Sequence, residues 1–248
     1  MCTISFLPNR SGFLLAMNRD EQVSRPRATP PRFRQTGSRK SLYPSEPSGG
    51  TWIGVNDAGL TLALINWYAK PQRDRAWCVS RGIVIPHLLA ADVLAEVGVF
   101  FSDLPLMQIN PFRLIAISAV ERKIREWRWD GKVLDSRSHA WARRHWFSSG
   151  YDEALVNRKR ADVVRAAAAS MQTPAWLRKL HHSHQPERGP FSICMHRAEA
   201  QTVSYAEILV TARKAEMIYT DGSPCTKKPG APRLLSLTGE AAAKSQPR

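Results

Sequence analysis

Short apolar runs alternate with turn sequences in the first third of the chain. Four runs are rich in β-branched, aromatic and leucine residues: 2–7, 13–17, 51–55 and 60–66. The sequences between the members of each pair, residues 8–12 and 56–59, contain the Pro, Asn, Asp and Gly that form tight turns. This pattern predicts two β-hairpins before residue 67. Runs 13–17 and 60–65 are almost continuously apolar, which indicates strands that are covered on both faces.

The rest of the chain continues with strands and two helices. The pattern predicts one strand pair at 112–118 and 124–129 with one solvated face, and a last hairpin in which 192–197 and 202–210 are joined by 198–201. Helical spacing of apolar residues predicts a packed helix near 86–97, and an Ala-, Arg- and Val-rich segment predicts another over 152–171. Together these elements indicate sheets packed in layers and covered by helices.

Three segments bear on domain organisation. The longest apolar stretch, 82–101, contains Pro, His, Asp and Glu, which would be costly inside a bilayer, so no membrane span is expected. Residues 25–40 interleave arginines with prolines and are expected to form an exposed loop. From residue 223 onward Pro, Lys, Gly and Ser dominate. We therefore expect one domain over residues 1–222 and a flexible tail over 223–248.

Composition narrows the function classes. The 248-residue chain has a formal charge of +15, but its arginines are spread out and no nucleic-acid-binding motif accompanies them. A solvated basic surface is favoured over a specific nucleic-acid partner, which would rest on charge alone. The four cysteines form no CxxC pair, and the first residues lack the features of a secretory signal. We expect reduced thiols in a cytoplasmic protein.

Histidines invite a metal interpretation, which the spacing does not support. His181, His182 and His184 follow a predicted helix without a Cys or carboxylate partner at a recognisable distance along the chain. A surface loop is favoured, and no metal or cofactor is predicted. Arg197 ends a predicted strand, where it could contact an acidic substrate group or form part of a basic strand edge.

Several motifs occur together in a characteristic order. They are Met1-Cys2-Thr3, Asn18-Arg19-Asp20-Glu21, Ser24-Arg25-Pro26, Gly49-Gly50-Thr51-Trp52-Ile53-Gly54 and Ser80-Arg81-Gly82. In this order and spacing the chain resembles the NRDE family, also called the transport and Golgi organisation family, from residue 1 to about 210. That family is similar to N-terminal nucleophile hydrolases of the choloylglycine and penicillin acylase type. The resemblance implies an α/β fold, an αββα four-layer sandwich with two mainly antiparallel sheets.

The resemblance makes Cys2 the candidate nucleophile. Removal of Met1 would leave a thiol and a free α-amine on one residue. An α-amine titrates near about 8 and a thiol near about 8.5, so the amine can accept the thiol proton close to neutral pH. If the amine and Arg19 stabilise the thiolate, the pKa of Cys2 should be depressed. The alternative is that Cys2 is a small buried residue that begins a strand.

The remaining catalytic candidates also follow from the resemblance. Asn66 would donate a hydrogen bond to the oxyanion, and the other interpretation is an Asn that ends a strand. No second donor Asn is evident at 146–150, where Ser148 or Ser149 could substitute. Asp20 would hold the α-amine, and Arg19 would orient the thiolate or substrate. Because adjacent strand residues point to opposite faces, both reach Cys2 only if the strand ends or bulges; the alternative is a strand-end cluster of salt bridges.

Two function classes remain open. Candidate substrate-binding residues are Asn18, Glu21, Trp52, Arg81 and Arg197. The first class is a cysteine amidohydrolase or acyltransferase that acts on a non-peptide C–N or ester bond through acyl-Cys2. The second is a non-catalytic binding or carrier protein on the same fold, for a hydrophobic ligand such as a lipid, an acyl group or haem. The sequence does not indicate an oligomeric state.

Overall fold

The computed structural model describes residues 2–167 and 173–238. Within these ranges it contains thirteen strands and four α-helices. The strands are β1 (Cys2–Asn9), β2 (Gly12–Gln22), β3 (Thr29–Thr36), β4 (Arg39–Ser45), β5 (Ile53–Asn56), β6 (Leu60–Asn66), β7 (Phe112–Ser118), β8 (Lys123–Trp129), β9 (Leu134–His139), β10 (Arg144–Ser148), β11 (Ala200–Val210), β12 (Lys214–Asp221) and β13 (Arg233–Ser236). The helices are α1 (Val84–Leu88), α2 (Leu94–Phe100), α3 (Glu153–Ala167) and α4 (Pro174–His182).

The strands form two antiparallel sheets. A six-stranded sheet has the order β10-β1-β2-β11-β12-β13, and a seven-stranded sheet has the order β3-β4-β5-β6-β7-β8-β9. The two sheets pack face to face around a buried core that includes Ile4, Met17, Ile65 and Ile208. Helices α1 and α2 cover the outer face of the seven-stranded sheet, and α3 and α4 cover that of the six-stranded sheet. The layers follow the order helix, sheet, sheet, helix, which confirms the αββα expectation.

Strand β1 lies in the interior of the six-stranded sheet, between β10 and β2. Its alternate side chains separate by face: Cys2, Ile4 and Phe6 enter the core between the sheets, whereas Thr3 and Ser5 contact residues of the helix layer. This period of two is the ordinary consequence of strand geometry. It places the thiol of Cys2 on the face that looks toward the second sheet.

The helix predicted at 86–97 is two short helices. The side-chain amide of Asn56 donates to the carbonyl oxygens of Leu89, at 2.9 Å, and Ala91, at 2.7 Å. Carbonyls just past the end of α1 thus accept hydrogen bonds from the last side chain of β5 instead of from a later turn of helix. The chain turns there, and α2 begins at Leu94.

The segment expected to be an exposed loop contains most of an edge hairpin. Strands β3 and β4 pair antiparallel, with a register irregularity between Thr29 and Arg32 that contains both Pro30 and Pro31. Proline lacks the N–H that a central strand needs, so an irregular edge strand is where it fits. Most side chains of β3 are exposed or half-buried. The solvent exposure was therefore predicted correctly, and the loop was wrong.

The last hairpin also differs from the prediction. Residues 192–197 form only an isolated bridge, between His196 and Gln201, and β11 pairs instead with β2 and β12. Part of the expected tail belongs to the fold, since β13 pairs with β12 and the Leu235 side chain is buried in the core between the sheets. The boundary expected at residue 222 therefore does not hold for residues 223–238, and 239–248 lie outside the described residues.

Strands β9, β10 and β12 escaped prediction because charged and polar residues interrupt their apolar pattern. Helix α3 matches the expected helix up to residue 167, and the rest of that expectation, residues 168–171, falls outside the described residues. None of the described helices has the length and apolar character needed to cross a membrane.

Candidate active site

A cavity of about 270 Å³ opens where β1 begins and where β2 and β6 end, beside the segment that precedes α1. Its walls combine charged, polar and a few apolar side chains. The lining residues that we predicted from the sequence are Cys2, Arg19, Asp20, Glu21, Trp52, Asn66 and Arg81. The structure therefore brings all four candidate catalytic residues, and three of the five candidate substrate-binding residues, to one concavity.

Cys2 is buried, with 7% of its surface exposed. Burial raises the pKa of its thiol above the ordinary value, and the Asp20 carboxylate adds to the rise. The charge of the N-terminal ammonium, the hydrogen bond from the backbone N–H of Asp20 and the charge of Arg19 act in the opposite direction without cancelling the rise. In the unprocessed chain desolvation of the thiolate therefore outweighs the nearby positive charge. The depressed pKa expected from the sequence concerns the chain that begins at Cys2 with a free α-amine, and it stays a prediction.

Arg19 lies directly opposite Cys2 in the antiparallel pair of β1 and β2. Directly opposed residues share a face, so the guanidinium is on the same side of the sheet as the thiol. It lies 4.2 Å from the centre of the Trp52 ring and donates a hydrogen bond to Glu46. Stacking and ion pairing fix the guanidinium at the cavity wall, beside the sulfur.

The carboxylate of Asp20 points to the opposite side of β2. It contacts Arg160 of α3 at 3.3 Å and accepts a hydrogen bond from the hydroxyl of Thr202 at 2.6 Å. A register shift in β11 falls between Thr202 and Ser204, the partners of Asp20 and Arg19. The extra residue belongs to β11, so it leaves Arg19 and Asp20 on opposite faces of β2 and does not direct both side chains to Cys2. What Asp20 offers the Cys2 sulfur is its backbone N–H.

Asn66 ends β6 at the cavity. Its side-chain amide donates to the hydroxyl of Tyr68 at 2.7 Å, and its carbonyl accepts a hydrogen bond from the Ser148 hydroxyl at 2.6 Å. Ser148 pairs with Cys2 across β10 and β1, so it connects the strand of the thiol to the strand end of Asn66. Neither Ser148 nor Ser149 lines the cavity, which leaves the second oxyanion donor unassigned among the described residues.

Two candidate substrate-binding residues do not line the cavity. Asn18 is fully buried, and its amide donates to the carbonyls of His181, at 2.9 Å, and Ile193, at 3.0 Å. Arg197 forms an ion pair with Glu199 and lies 4.9 Å from the centre of the Tyr151 ring. Asn18 therefore joins the sheet to the helix layer, as expected for a strand residue on the same face as Asp20.

Two of the glycine-containing motifs form one wall of the cavity. A Cβ atom on Gly50 would lie 2.9 Å from the Cα of Gly82, closer than side chains approach backbone. The backbone N–H of Thr51 donates to the carbonyl of Gly82 at 2.9 Å. The Gly-Gly-Thr-Trp and Ser-Arg-Gly motifs are thus explained by the close contact of two backbone segments. This contact brings Trp52 and Arg81 to the same cavity.

Sequence reasoning missed several lining residues. Glu46 accepts the hydrogen bond of Arg19, and Arg25 lies 2.6 Å from Glu21. Burial alone would raise the pKa of Glu21, but the Gln22 N–H and Arg25 lower it below its ordinary value, which keeps it ionised at neutral pH. Asn110 donates to the Cys78 sulfur at 3.2 Å. Of these, only Arg25 carried a signal, as part of the Ser-Arg-Pro motif.

The histidine run is not a surface loop throughout. His181 is fully buried, and its ring nitrogens contact the Asn18 amide oxygen at 3.1 Å and the Ser5 hydroxyl at 2.8 Å. His182 is exposed. His184 lies beside Cys194, His196 and Cys225, with one donor atom from each residue within 4.8 Å of the others. The spacing along the sequence did not reveal these neighbours of His184, because the fold brings them together from separate segments of the chain.

The fold is that of the N-terminal nucleophile hydrolases. Penicillin V acylase from Agrobacterium tumefaciens superimposes with a TM-score of 0.56 at 13% sequence identity, over 96% of this chain and 86% of the acylase. A mutant of the conjugated bile acid hydrolase from Clostridium perfringens superimposes with a TM-score of 0.56 at 12% identity, over 97% of this chain and 93% of the hydrolase. At these identities the likeness concerns the fold alone.

The family follows from the sequence. The family model described as Transport and Golgi organisation 2 matches residues 1–151. The chain belongs to this family, and the match includes β1, β2 and every residue that lines the cavity. Among curated proteins, none matches the chain.

Proposed function

We propose that this protein is a cysteine N-terminal nucleophile amidohydrolase or acyltransferase. It acts on a non-peptide C–N or ester bond of a small molecule through an acyl-Cys2 intermediate, in the cytoplasm. The observation that supports the proposal most strongly is that Cys2, Arg19 and Asn66, from three different strands, line one cavity. The fold, which is similar to those of a penicillin V acylase and a bile acid hydrolase, supports the same chemistry.

Activation of the thiol is the first requirement. The raised pKa keeps Cys2 protonated at neutral pH in the unprocessed chain, so a base must remove the proton. Loss of Met1 would provide that base as the α-amine of Cys2 itself. The Asp20 N–H at the sulfur and the Arg19 guanidinium on the same face then stabilise the thiolate. The Asp20 carboxylate is the candidate to hold the protonated amine, while Arg160 and Thr202 hold the carboxylate.

The reaction then has two balanced steps. The thiolate attacks the carbonyl carbon, the tetrahedral intermediate collapses, and the α-ammonium gives its proton to the leaving amine or alkoxide. The product of this step is a thioester between the acyl group and Cys2. Water, or an acceptor amine or alcohol, next attacks the thioester while the α-amine accepts its proton, and the thiol is regenerated. The Asn66 amide, which Tyr68 holds at the cavity, would donate to the oxyanion.

The character of the cavity favours a polar substrate. Arg19, Arg25, Arg81, Glu21 and Glu46 all line it. Charged side chains of both signs can orient an amide or ester that carries polar substituents, whereas a long acyl chain would leave them desolvated. We therefore favour a small polar amide or ester over a lipid.

A carrier function is the second candidate. It is favoured by the raised pKa of Cys2 and by the position of Ser148 and Ser149 outside the lining of the cavity, which leaves the second oxyanion donor unassigned among the described residues. In that case the same cavity would hold a ligand without forming a covalent bond to Cys2. Trp52, Leu64 and Val79 provide the apolar part of its wall.

Mass spectrometry of the purified protein separates the two functions. We expect the intact mass to show loss of Met1, and incubation with a library of amides and activated esters to yield an acyl adduct that peptide mapping assigns to Cys2. Cys78, Cys194 and Cys225 are internal references in the same sample. The Cys2→Ala variant should fold and form no adduct.

Retention of Met1 in all molecules would remove the proposed base and overturn the mechanism. Absence of any acyl-Cys2, together with unchanged ligand affinity in Cys2→Ala, would establish the carrier function instead.

A further inference from the structure

Four potential metal ligands converge outside the candidate active site. They are His184, Cys194, His196 and Cys225, and one donor atom from each lies within 4.8 Å of all the others. The Nε2 atom of His196 is 3.3 Å from the sulfur of Cys225 and 3.6 Å from the sulfur of Cys194. The two imidazole rings are 5.0 Å apart between centroids and inclined by 66°. None of the four residues lines the cavity that contains Cys2.

These distances match a tetrahedral ion. Zinc binds sulfur at about 2.3 Å and imidazole nitrogen at about 2.0–2.1 Å, so tetrahedral angles place a sulfur and a nitrogen about 3.5 Å apart and two sulfurs about 3.8 Å apart. The two observed nitrogen–sulfur distances, 3.6 Å and 3.3 Å, are close to the first of these values. Every other pair of donor atoms is within 4.8 Å. Side-chain rotations that move these atoms by about 1 Å would therefore complete the coordination.

The ring of His184 provides an independent indication. Its Nε2 atom is buried and has no hydrogen-bond partner among the described residues. A buried polar nitrogen without a partner costs free energy, and a bound ion removes that cost. Cys194 is fully buried, so this part of the cluster is protected from water. Two imidazoles and two thiols are also the ligand set that soft divalent ions prefer over oxygen-binding ions such as Mg²⁺.

The backbone around the cluster is held in place by hydrogen bonds. The N–H of Cys194 donates to the carbonyl of Ser183 at 2.9 Å, and the N–H of Met195 donates to the hydroxyl of Thr202 at 2.8 Å. The hydroxyl of Ser223 donates to the carbonyl of Thr202 at 2.6 Å. These bonds fix the three segments that contain the ligands. They also account for the irregular backbone at 192–197, where the sequence predicted a strand.

We propose that His184, Cys194, His196 and Cys225 bind one Zn²⁺ ion in a closed tetrahedral site. With four protein ligands, no coordination position is left for substrate, which is typical of a structural ion. The ion joins the segment after α4, the segment before β11 and the segment after β12. Through Cys225 it fastens the connection to β13 onto the body of the fold.

The site has a physical connection to the strand of the candidate active site. The hydroxyl of Thr202 accepts a hydrogen bond from the N–H of Met195 and donates one to the carboxylate of Asp20. Asn18 binds the carbonyl of Ile193, next to Cys194. Zinc would therefore support the helix-facing side of β2, while Cys2 and Arg19 occupy the other side.

Metal analysis of the full-length protein tests the proposal. The protein should be produced with added zinc and an affinity tag that contains no histidine, and its metal content measured by mass spectrometry after dialysis. We expect about one zinc per chain. Removal of zinc and addition of Co²⁺ should yield the intense visible bands of a tetrahedral ion and a thiolate-to-cobalt charge-transfer band.

Matched variants assign the ligands. Cys225→Ser and His184→Gln should each lower the zinc content and abolish the thermal stabilisation that zinc gives the wild type. His182→Gln is the control, because His182 belongs to the same His-rich run but is exposed and lies outside the cluster; it should bind zinc like the wild type. Since the cobalt spectrum of the wild type needs no variant, the test holds even if a variant fails to fold.

Three results would overturn the proposal. The first is a wild-type protein without zinc and without a tetrahedral cobalt spectrum. The second is full zinc content in both ligand variants, which would place the ion elsewhere. The third is a disulfide between Cys194 and Cys225 in protein purified under reducing conditions with zinc present.

Discussion

The guanidinium of Arg160 lies 3.3 Å from the carboxylate of Asp20, and neither side chain is exposed to solvent. A second nitrogen of Arg160 donates to the hydroxyl of Thr3 at 2.8 Å. Arg160 of α3 therefore contacts both β1, which begins with Cys2, and β2, on the faces of these strands that look toward the helix layer. Helix, β1 and β2 are joined at the point where the candidate nucleophile is positioned.

Removal of Arg160 should be strongly destabilising. Arg160→Met would remove the buried cation that faces the Asp20 carboxylate, and breaking a buried pair from one side costs about 3–5 kcal/mol of the free energy of unfolding. Urea denaturation measures the loss. Arg165→Met on the same helix is the control, because Arg165 forms an exposed pair with Asp162 that should contribute less than about 1 kcal/mol. Equal losses in the two variants would contradict the role given to Arg160.

The layers could be predicted from the sequence because β1, β2, β6 and β7 have continuous apolar runs. Strand β10 could not be, although it pairs with β1 beside Cys2. The first two residues of β10, Arg144 and His145, interrupt the apolar pattern. The strand forms because it pairs with β1, and such pairing can stabilise a strand whose own sequence does not predict one. The same limitation explains β12, where apolar and polar residues alternate imperfectly.

The candidate site shows the same division. Cys2, Arg19 and Asn66 could be identified because the family resemblance implies a role for each of these positions. Glu46 and Arg160 could not, because a single Glu in a turn or a single Arg in a helix has no distinctive local pattern. Arg160 does occupy the buried stripe of α3 between Val156 and Val164, but the sequence does not reveal which carboxylate it meets.

The contact between the two glycine motifs can be tested by adding one methyl group. Gly50→Ala would force its Cβ to within 2.9 Å of the Cα of Gly82, so we expect a loss of about 1–3 kcal/mol in unfolding free energy. Gly98→Ala is the control: its Cβ would lie 3.8 Å from Trp127, in a helix, where alanine is favoured by about 0.5–1 kcal/mol. Thermal unfolding of the two variants should therefore shift in opposite directions. A Gly50→Ala protein as stable as the wild type would show that the two segments separate easily.

His145 should make the stability depend on pH. Burial and the charge of Arg143 lower the pKa of His145 to about 4, and its Nδ1 contacts the Ser5 hydroxyl at 2.7 Å. In the unfolded chain a histidine titrates near about 6.5, so the unfolded state binds more protons between these values. The neutral ring therefore contributes to the unfolding free energy, and this contribution is complete above about pH 6.5. It is lost as the pH falls toward about 4, and the total loss is about 3 kcal/mol.

Denaturation of the His145→Gln variant across this pH range measures that contribution. As the pH falls, the unfolding free energy of the variant should decrease less steeply than that of the wild type. The difference in slope should correspond to about one proton fewer taken up on unfolding. Above about pH 7 the ring is neutral in both states, so the slopes of the two proteins should coincide. An unchanged slope in the acid range would show that His145 does not titrate between the folded and unfolded states. The buried His181, whose pKa burial also lowers, would then be the residue to replace.

Processing should control the reactivity of Cys2. With its pKa raised by burial, the thiol of an unprocessed chain is protonated near neutral pH, and only the thiolate is alkylated. A chain whose N-terminus is extended by a few residues should therefore react slowly at Cys2, with a rate that increases about tenfold for each pH unit below the pKa. The processed chain has the α-amine as an internal base and should react at Cys2 near neutral pH.

Peptide mapping after timed alkylation measures the rate at Cys2 in both chains. Cys78 lines the same cavity, so its rate reports whether the reagent enters the two chains equally well. Equal Cys2 rates in the two chains would mean that the amine does not activate the thiol, and would favour the carrier function over catalysis.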